Sequence, residues 1–195
     1  ESIPTPGNLR FRKAVRRLDE IVYAMIQEHR ASAEDTGDLL AVLLKAQDDD
    51  GSQMTDRQLR DEVMTIFVAG HETTALALTW TWFLLAQHPD IEQRLLTELQ
   101  QVLGGHVPTA NDLPRLEYTE KVVKEAMRLY PPVWCIPRVA LSDCEIGGYR
   151  VPAGTSIALS PWVMHRNPRY FTEPETFIPE RWNHDFAKSL QAADL

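Results

Sequence analysis

The stretch from Thr55 to Pro89, TDRQLRDEVMTIFVAGHETTALALTWTWFLLAQHP, decides the fold. Thr55 and Gln58 have the spacing of a capping box, which predicts a helix start at Thr55. His88-Pro89 predicts its end, because the residue before a proline avoids the helical region. A helix between these points is roughly 48 Å long at 1.5 Å per residue, enough to cross a whole domain. Its segment Val63 to Ala86 is apolar and long enough for a bilayer. However, His71 and Glu72 stand at mid-run, where a charge costs at least ~2.5–3.5 kcal/mol. Neither flank is basic enough to set an orientation. The expectation is a helix buried in a large core rather than a membrane span.

The centre of this helix reads Ala69-Gly70-His71-Glu72-Thr73-Thr74. A glycine inside a helix costs about 1 kcal/mol relative to alanine. Beside Ala69 it leaves a gap in which another group can lie against the backbone. Thr73 is placed to bond the Ala69 carbonyl and so bend or open the helix. Glu72 adds a carboxylate beside an alcohol, and a buried carboxylate is costly unless hydrogen-bonded or functional. A groove with a proton-handling pair is one reading. A close helix–helix crossing, with Glu72 paired to an arginine, is the other. A zinc-protease reading of His71-Glu72 fails, because it needs a second histidine at position 75, which is alanine.

Outward from the long helix, the pattern stays helical for three quarters of the chain. Phe11, Ala14, Val15, Leu18, Ile21, Val22, Met25 and Ile26 recur at helical spacing, predicting a helix from about Leu9 to Arg30. A short helix follows Thr36 and Asp38 through Leu39 to Leu44, before an acidic turn at Asp48-Asp49-Asp50-Gly51. Another starts at Pro89 and ends at Gly104-Gly105. A further one runs from about Tyr118 to Tyr130, closed by Pro131-Pro132. Glu145 to Arg150 reads as a hairpin turning on Gly147-Gly148, and Thr155 to Ser160 as a strand. From Pro161 onward, Pro168, Pro174 and Pro179 mark a proline-fixed coil. The fold class is α+β, predominantly α-helical, with a small antiparallel β region.

The 195 residues, 44% hydrophobic and 25% charged, are ordinary for a globular domain and argue against disorder. A net charge of -8 argues against nucleic acid as a partner, since that needs clustered Lys and Arg. Cys135 and Cys144 supply neither a disulfide framework nor metal-ligand spacing. The chain opens on Glu1 and closes on Gln191 to Leu195 without a cap, so both ends read as cut. Cytoplasmic placement is the expectation, with an anchor upstream of Glu1 left open.

Two charged elements complete the pattern. Glu125 and Arg128, three apart, share a helix face and can pair. Pro179-Glu180-Arg181-Trp182 ends the proline-fixed coil, and Arg181 has the planar fork to join such a pair. Each alone is as well explained by a solvated surface charge. Their order is more specific. A long helix with Ala-Gly-x-Glu-Thr-Thr, then Glu-x-x-Arg, then Pro-Glu-Arg-Trp resembles the cytochrome P-450 family from about Leu9 to Trp182. The Tyr-Pro-Pro, Ile-Pro-Arg, Gly-Tyr-x-Val-Pro-x-Gly-Thr and His-Arg-Asn-Pro segments between them fit as well.

The resemblance implies a haem-dependent monooxygenase that inserts one oxygen atom from O2 into a lipophilic organic substrate. Haem b is the implied cofactor, and a reductase or ferredoxin the implied electron donor. By position, Ala69 and Gly70 would form the oxygen groove, Thr73 would be the proton-delivering alcohol and Glu72 its acid partner. Arg138 matches a position that pairs with a haem propionate. Val133, Trp134, Cys135 and Ile136 match a stretch lining the substrate pocket, and His71 occupies a variable position. Glu125, Arg128 and Arg181 match a structural triad. Residues 1–195 would be part of a single domain. The iron ligand in this family is a cysteine in a glycine-rich loop. Neither Cys135 nor Cys144 has that setting, so the ligand is expected beyond Leu195 and these 195 residues alone to be inactive. A non-catalytic scaffold keeping the motifs is the alternative from another class. A peroxide-using or rearranging relative is disfavoured, because both Thr73 and Glu72 are present.

Overall fold

The computed structural model describes residues 3–32, 37–46, 51–183 and Phe186. Thr36, Asp48 to Asp50 and Gln191 to Leu195, which carry expectations above, lie outside the described residues. Six α-helices are described: α1 (Pro6–Ala31), α2 (Leu39–Lys45), α3 (Asp56–Gln87), α4 (Pro89–Leu103), α5 (Glu117–Leu129) and α6 (Pro161–Met164). Four short strands are β1 (Ile136–Val139), β2 (Cys144–Ile146), β3 (Tyr149–Val151) and β4 (Ser156–Leu159). The chain divides into two compact units, Glu1–Glu72 and Thr73–Leu195, with the division falling inside α3.

In the first unit, α1 and α2 pack on the start of α3. Val22 and Ile26 of α1, Leu40 of α2 and Leu59 of α3 form the core, flanked by Leu43, Leu44, Met54, Val63 and Met64. Thr55 and Gln58 make the expected reciprocal cap: the Thr55 amide donates to Gln58 Oε1 at 2.9 Å, and the Gln58 amide to Thr55 Oγ1 at 3.3 Å. Polar ties hold the edges. Arg60 Nε donates to Asp19 Oδ1 at 2.6 Å, and His29 Nε2 meets Asp38 Oδ2 at 2.8 Å. Asp38 also accepts from the Ala41 amide at 2.9 Å, capping α2 as it ties that helix to α1.

In the second unit, Leu84 and Leu85 of α3 meet Ile91 and Leu95 of α4. Val122, Ala126 and Leu129 of α5 and Phe177 of the coil complete this core. α4 stops at Gly104, whose φ of 55° is left-handed and suits glycine. The residue before α5, Leu116, has no side chain able to cap it. Glu98 of α4 does so instead, accepting from the Tyr118 and Thr119 amides at 2.6 and 2.8 Å and from Thr119 Oγ1 at 2.7 Å. A 3-10 turn at Ala110–Arg115, absent from the sequence reading, is held by a capping box between Thr109 and Asp112.

The hairpin pairs β2 with β3, Ile146 opposite Tyr149. Gly147 and Gly148 have φ of 57° and 84°, the double positive φ that a two-residue turn of this kind needs. β4 pairs antiparallel with β1, from Ile136↔Leu159 to Val139↔Ser156. The reading found β4 but not β1, where Pro137 obscures the strand pattern. It also took the whole stretch after Pro161 for coil, whereas α6 and a 3-10 turn at Pro179–Arg181 interrupt it.

Burial of the long helix differs from expectation. Its buried residues, Leu59, Thr81, Leu84 and Leu85, lie towards its two ends, while Ile66, Phe67, Val68, Leu76 and Leu78 in the middle are exposed. Glu72 is likewise exposed, so no described residue buries its carboxylate. No helix among the described residues is long and apolar enough to cross a membrane.

Candidate functional site

The Glu125–Arg128 pair lies on α5, one turn apart, with relative exposures of 0% and 1%. Arg128 Nε and Nη2 donate to the two Glu125 oxygens, each at 2.9 Å, a bidentate fork. The other N–H groups of Arg128 reach the coil. Nη1 donates to the His165 and Pro174 carbonyls at 2.8 and 2.6 Å, and Nη2 to the Thr176 carbonyl at 3.1 Å. All five guanidinium donors are thus used. That is why a buried charge is tolerable here: a buried ion pair holds only when its remaining hydrogen bonds are met.

Glu125 is equally occupied. Its Oε1 accepts from the Ile178 amide at 3.1 Å and Arg181 Nε at 3.4 Å, and its Oε2 from Trp182 Nε1 at 2.9 Å. Arg181 contacts the pair only at that longer distance. Its stronger bonds are Nη1 to the Thr172 carbonyl at 2.6 Å and Nη2 to the Glu173 carbonyl at 3.2 Å. Glu173 has a φ of 48°, a strained value for a residue with a side chain, and Arg181 holds that turn. The sequence reading named the three charges but missed Trp182 and the coil carbonyls. Only the final Trp of Pro-Glu-Arg-Trp hinted at a donor.

His165 sits against this node. A carbonyl can only accept, so the 3.2 Å contact of His165 Nδ1 with the Arg128 carbonyl places the proton on Nδ1. Burial, joined by the charges of Arg128 and Arg166, lowers its pKa and keeps the imidazole neutral.

The α3 motif is separate from this node. Ala69, Gly70, His71 and Glu72 are exposed, and Thr73 is half-buried. α3 continues as unbroken helix through them. The opening expected there is not seen, since α3 stays helical through the motif. The reason is visible elsewhere in α3: Thr65, Thr79 and Thr81 donate to the carbonyls of Asp61, Ala75 and Ala77 at 2.8, 2.7 and 2.7 Å without breaking it. A carbonyl has a second lone pair for such a bond. A Cβ built on Gly70 would meet no atom within 4 Å. The helix surface at Gly70 is open. His71 stacks on Phe67, with centroids 5.4 Å apart, which fits a packing role.

Arg138 lies exposed on β1, its Nη1 donating to the Pro137 carbonyl at 2.9 Å. Val133 and Trp134 are exposed, while Cys135 and Ile136 are half-buried where the chain enters β1. Cys135 and Cys144 are free thiols. Among the described residues, no group of three or more His, Cys, Asp and Glu side chains could hold a metal ion.

A long unbroken helix, a buried Glu-x-x-Arg pair lashing down a proline-fixed coil and two short antiparallel pairs define a helix-dominated α+β frame of the cytochrome P450 kind. Residues 1–192 match the family model described as Cytochrome P450, and the chain belongs to the cytochrome P450 family. It is similar to a cyclooctat-9-en-7-ol 5-monooxygenase of Streptomyces melanosporofaciens, 46% identical over 196 residues, covering 100% of this chain and 43% of that protein. A pentalenene oxygenase of Streptomyces avermitilis is 41% identical, covering 94% of this chain and 41% of its own. Among solved structures, a retinoic acid-bound cyanobacterial CYP120A1 superposes with a TM-score of 0.83 at 30% identity, covering 95% of this chain and 43% of that one. The heme domain of cytochrome P450DA gives 0.83 at 31% identity, covering 95% and 42%. The chain thus spans less than half the length of these relatives. Haem is the family's general cofactor.

Proposed function

We propose that the complete protein is a haem b-dependent monooxygenase that inserts one oxygen atom from O2 into a lipophilic organic substrate, residues 1–195 being part of a single domain. The observation that carries this reading is Ala69-Gly70-x-Glu72-Thr73 on an unbroken helix, open at Gly70, in a chain 46% identical to a monooxygenase.

When bound, the haem supplies the oxidation itself. Ala69 and Gly70 leave room for the cofactor face and O2 beside the helix. Thr73 Oγ1 would hold a proton beside the oxygen site, and the Glu72 carboxylate, exposed here, would relay protons to that hydroxyl from solvent. Arg138, exposed on β1, would hold a haem propionate as a charge-assisted partner. Val133, Cys135 and Ile136 supply an apolar wall to the substrate. Glu125, Arg128 and Arg181 touch no reactant and fix the coil to α5. A reductase or ferredoxin supplies electrons.

The test is turnover of the complete, haem-loaded protein under labelled dioxygen with an electron-donor system. One labelled oxygen atom per product molecule is the expected result. Product without label, or turnover by peroxide alone, would overturn it.

A further inference from the structure

In the second unit, five side chains pack into a cluster that the proposed chemistry does not use. The indole of Trp80, on α3, lies flat on the ring of Tyr130, which follows α5: centroids are 4.2 Å apart and planes 8° apart. Phe83 packs edge-on against both rings, at 5.5 and 6.3 Å. Arg166, from the coil after α6, joins them. Its guanidinium carbon is 5.6 Å from the Tyr130 centroid and 4.3 Å from that of Trp162.

Arg166 is an unusual residue to bury for stacking alone. Its side chain is 10% exposed, and Nε donates to Glu175 Oε2 at 3.0 Å. Nη1 is buried without a hydrogen-bond partner. A guanidinium that gives up water and leaves an N–H unpaired loses part of the return that burial normally requires. What it receives in exchange is two aromatic faces. Its position is set by the charged node, because the neighbouring His165 is bonded to Arg128 through both its carbonyl and its ring. A line of contacts therefore runs from the node through Arg166 and Tyr130 to Trp80.

Trp80 lies seven residues after Thr73 on one helix. Two turns at 3.6 residues each bring the two within about 20° of the same face, roughly 10 Å apart along the axis. We propose that Tyr130 and Arg166 are positioning residues. By clamping Trp80 they set the rotation of α3 about its axis, and so the direction in which Thr73 presents its hydroxyl. This rests on the reading of Thr73 as the proton-delivering alcohol. It adds a role to the charged node, which then aims α3 as well as holding the coil.

The experiment uses the complete haem-loaded protein and four variants: Thr73→Ala, Tyr130→Leu, Arg166→Gln and the conservative Tyr130→Phe. Two quantities are read: hydrogen peroxide released per reduced cofactor consumed, and deuterium uptake by α3 amides after Thr73. Tyr130→Leu and Arg166→Gln are expected to raise the peroxide fraction several-fold and α3 exchange about tenfold. Tyr130→Phe keeps the ring and should restore both. Thr73→Ala should raise peroxide with exchange unchanged. If Thr73→Ala raises peroxide while Tyr130→Leu and Arg166→Gln do not, the clamp is overturned and the Thr73 reading stands. If Thr73→Ala has no effect, both are overturned. Should Tyr130→Leu fail to fold, Trp80→Leu carries the same two readouts with the same expected and overturning results.

Discussion

Arg128 grips Glu125 through two parallel bonds of 2.9 Å on consecutive turns of one helix, with neither side chain exposed to solvent. The pair acts as one object, because each partner's remaining bonds go to the coil between His165 and Trp182. Arg128→Ala should leave Glu125 buried with only the 3.4 Å contact of Arg181 to offset its charge, at a cost of about 3–5 kcal/mol. Arg128→Lys should recover little of it, because an ammonium cannot supply five donors in a plane. Denaturant unfolding of the complete protein measures both. A loss below about 1 kcal/mol for Arg128→Ala would mean the node is solvated rather than buried.

The start of α5 depends on a residue of another helix. Glu98 accepts three bonds from Tyr118 and Thr119. Glu98→Ala should destabilise by about 1–2 kcal/mol, the range of a lost helix cap. Glu98→Gln keeps an acceptor and should lose less. Protection of the Tyr118 and Thr119 amides in hydrogen exchange is the direct readout, and unchanged protection in Glu98→Ala would contradict the cap.

Two histidines respond to pH with opposite sign. The Asp38 carboxylate, joined by the Met25 carbonyl, raises the pKa of His29 above its ordinary 6.5. Its contribution to stability is full below 6.5 and is lost as pH rises through the raised value. Burial lowers the pKa of His165 below 6.5. Its neutral form contributes fully above 6.5, and that contribution is lost as pH falls through the lowered value. Imidazole proton shifts followed by NMR should show His29 titrating above and His165 below a free histidine. The reverse order would refute both environments.

Asp112 extends the pH response to acid. The Thr109 amide first, then the Thr109 hydroxyl and His106, hold its carboxyl at about 2, against an ordinary 3.8. Its contribution is complete above 3.8 and disappears as pH falls towards 2. Asp112→Asn should flatten the stability profile in that window and leave it parallel to the unaltered protein at neutral pH.

The proposed function assigns neither thiol to iron. Cys144 is exposed on a hairpin strand and Cys135 is half-buried at the entry to β1. The 195-residue chain mixed with haem, reduced and exposed to carbon monoxide should therefore show no thiolate-type Soret band. Its appearance would assign the ligand to one of these two cysteines.

Most of the helices were legible in the amino-acid order, because their signals are local. Apolar spacing from Phe11 to Ile26 marked α1, Thr55 and Gln58 marked the start of α3, and Gly104 marked the end of α4. Gly147-Gly148 marked the hairpin in the same way, since the φ values it needs belong to those residues alone. The order of Ala-Gly-x-Glu-Thr-Thr, Glu-x-x-Arg and Pro-Glu-Arg-Trp identified the family.

Only the tertiary structure decided who meets whom. Glu98 capping α5, β1 joining β4, the Trp182 indole on Glu125 and Trp80 lying on Tyr130 all link residues 17 or more positions apart. No local rule of spacing or propensity reaches that far. Such pairs form when the packing of Leu85, Ile91, Val122 and Phe177 brings their helices and coil together, and the free energy of that burial is a property of the assembled core.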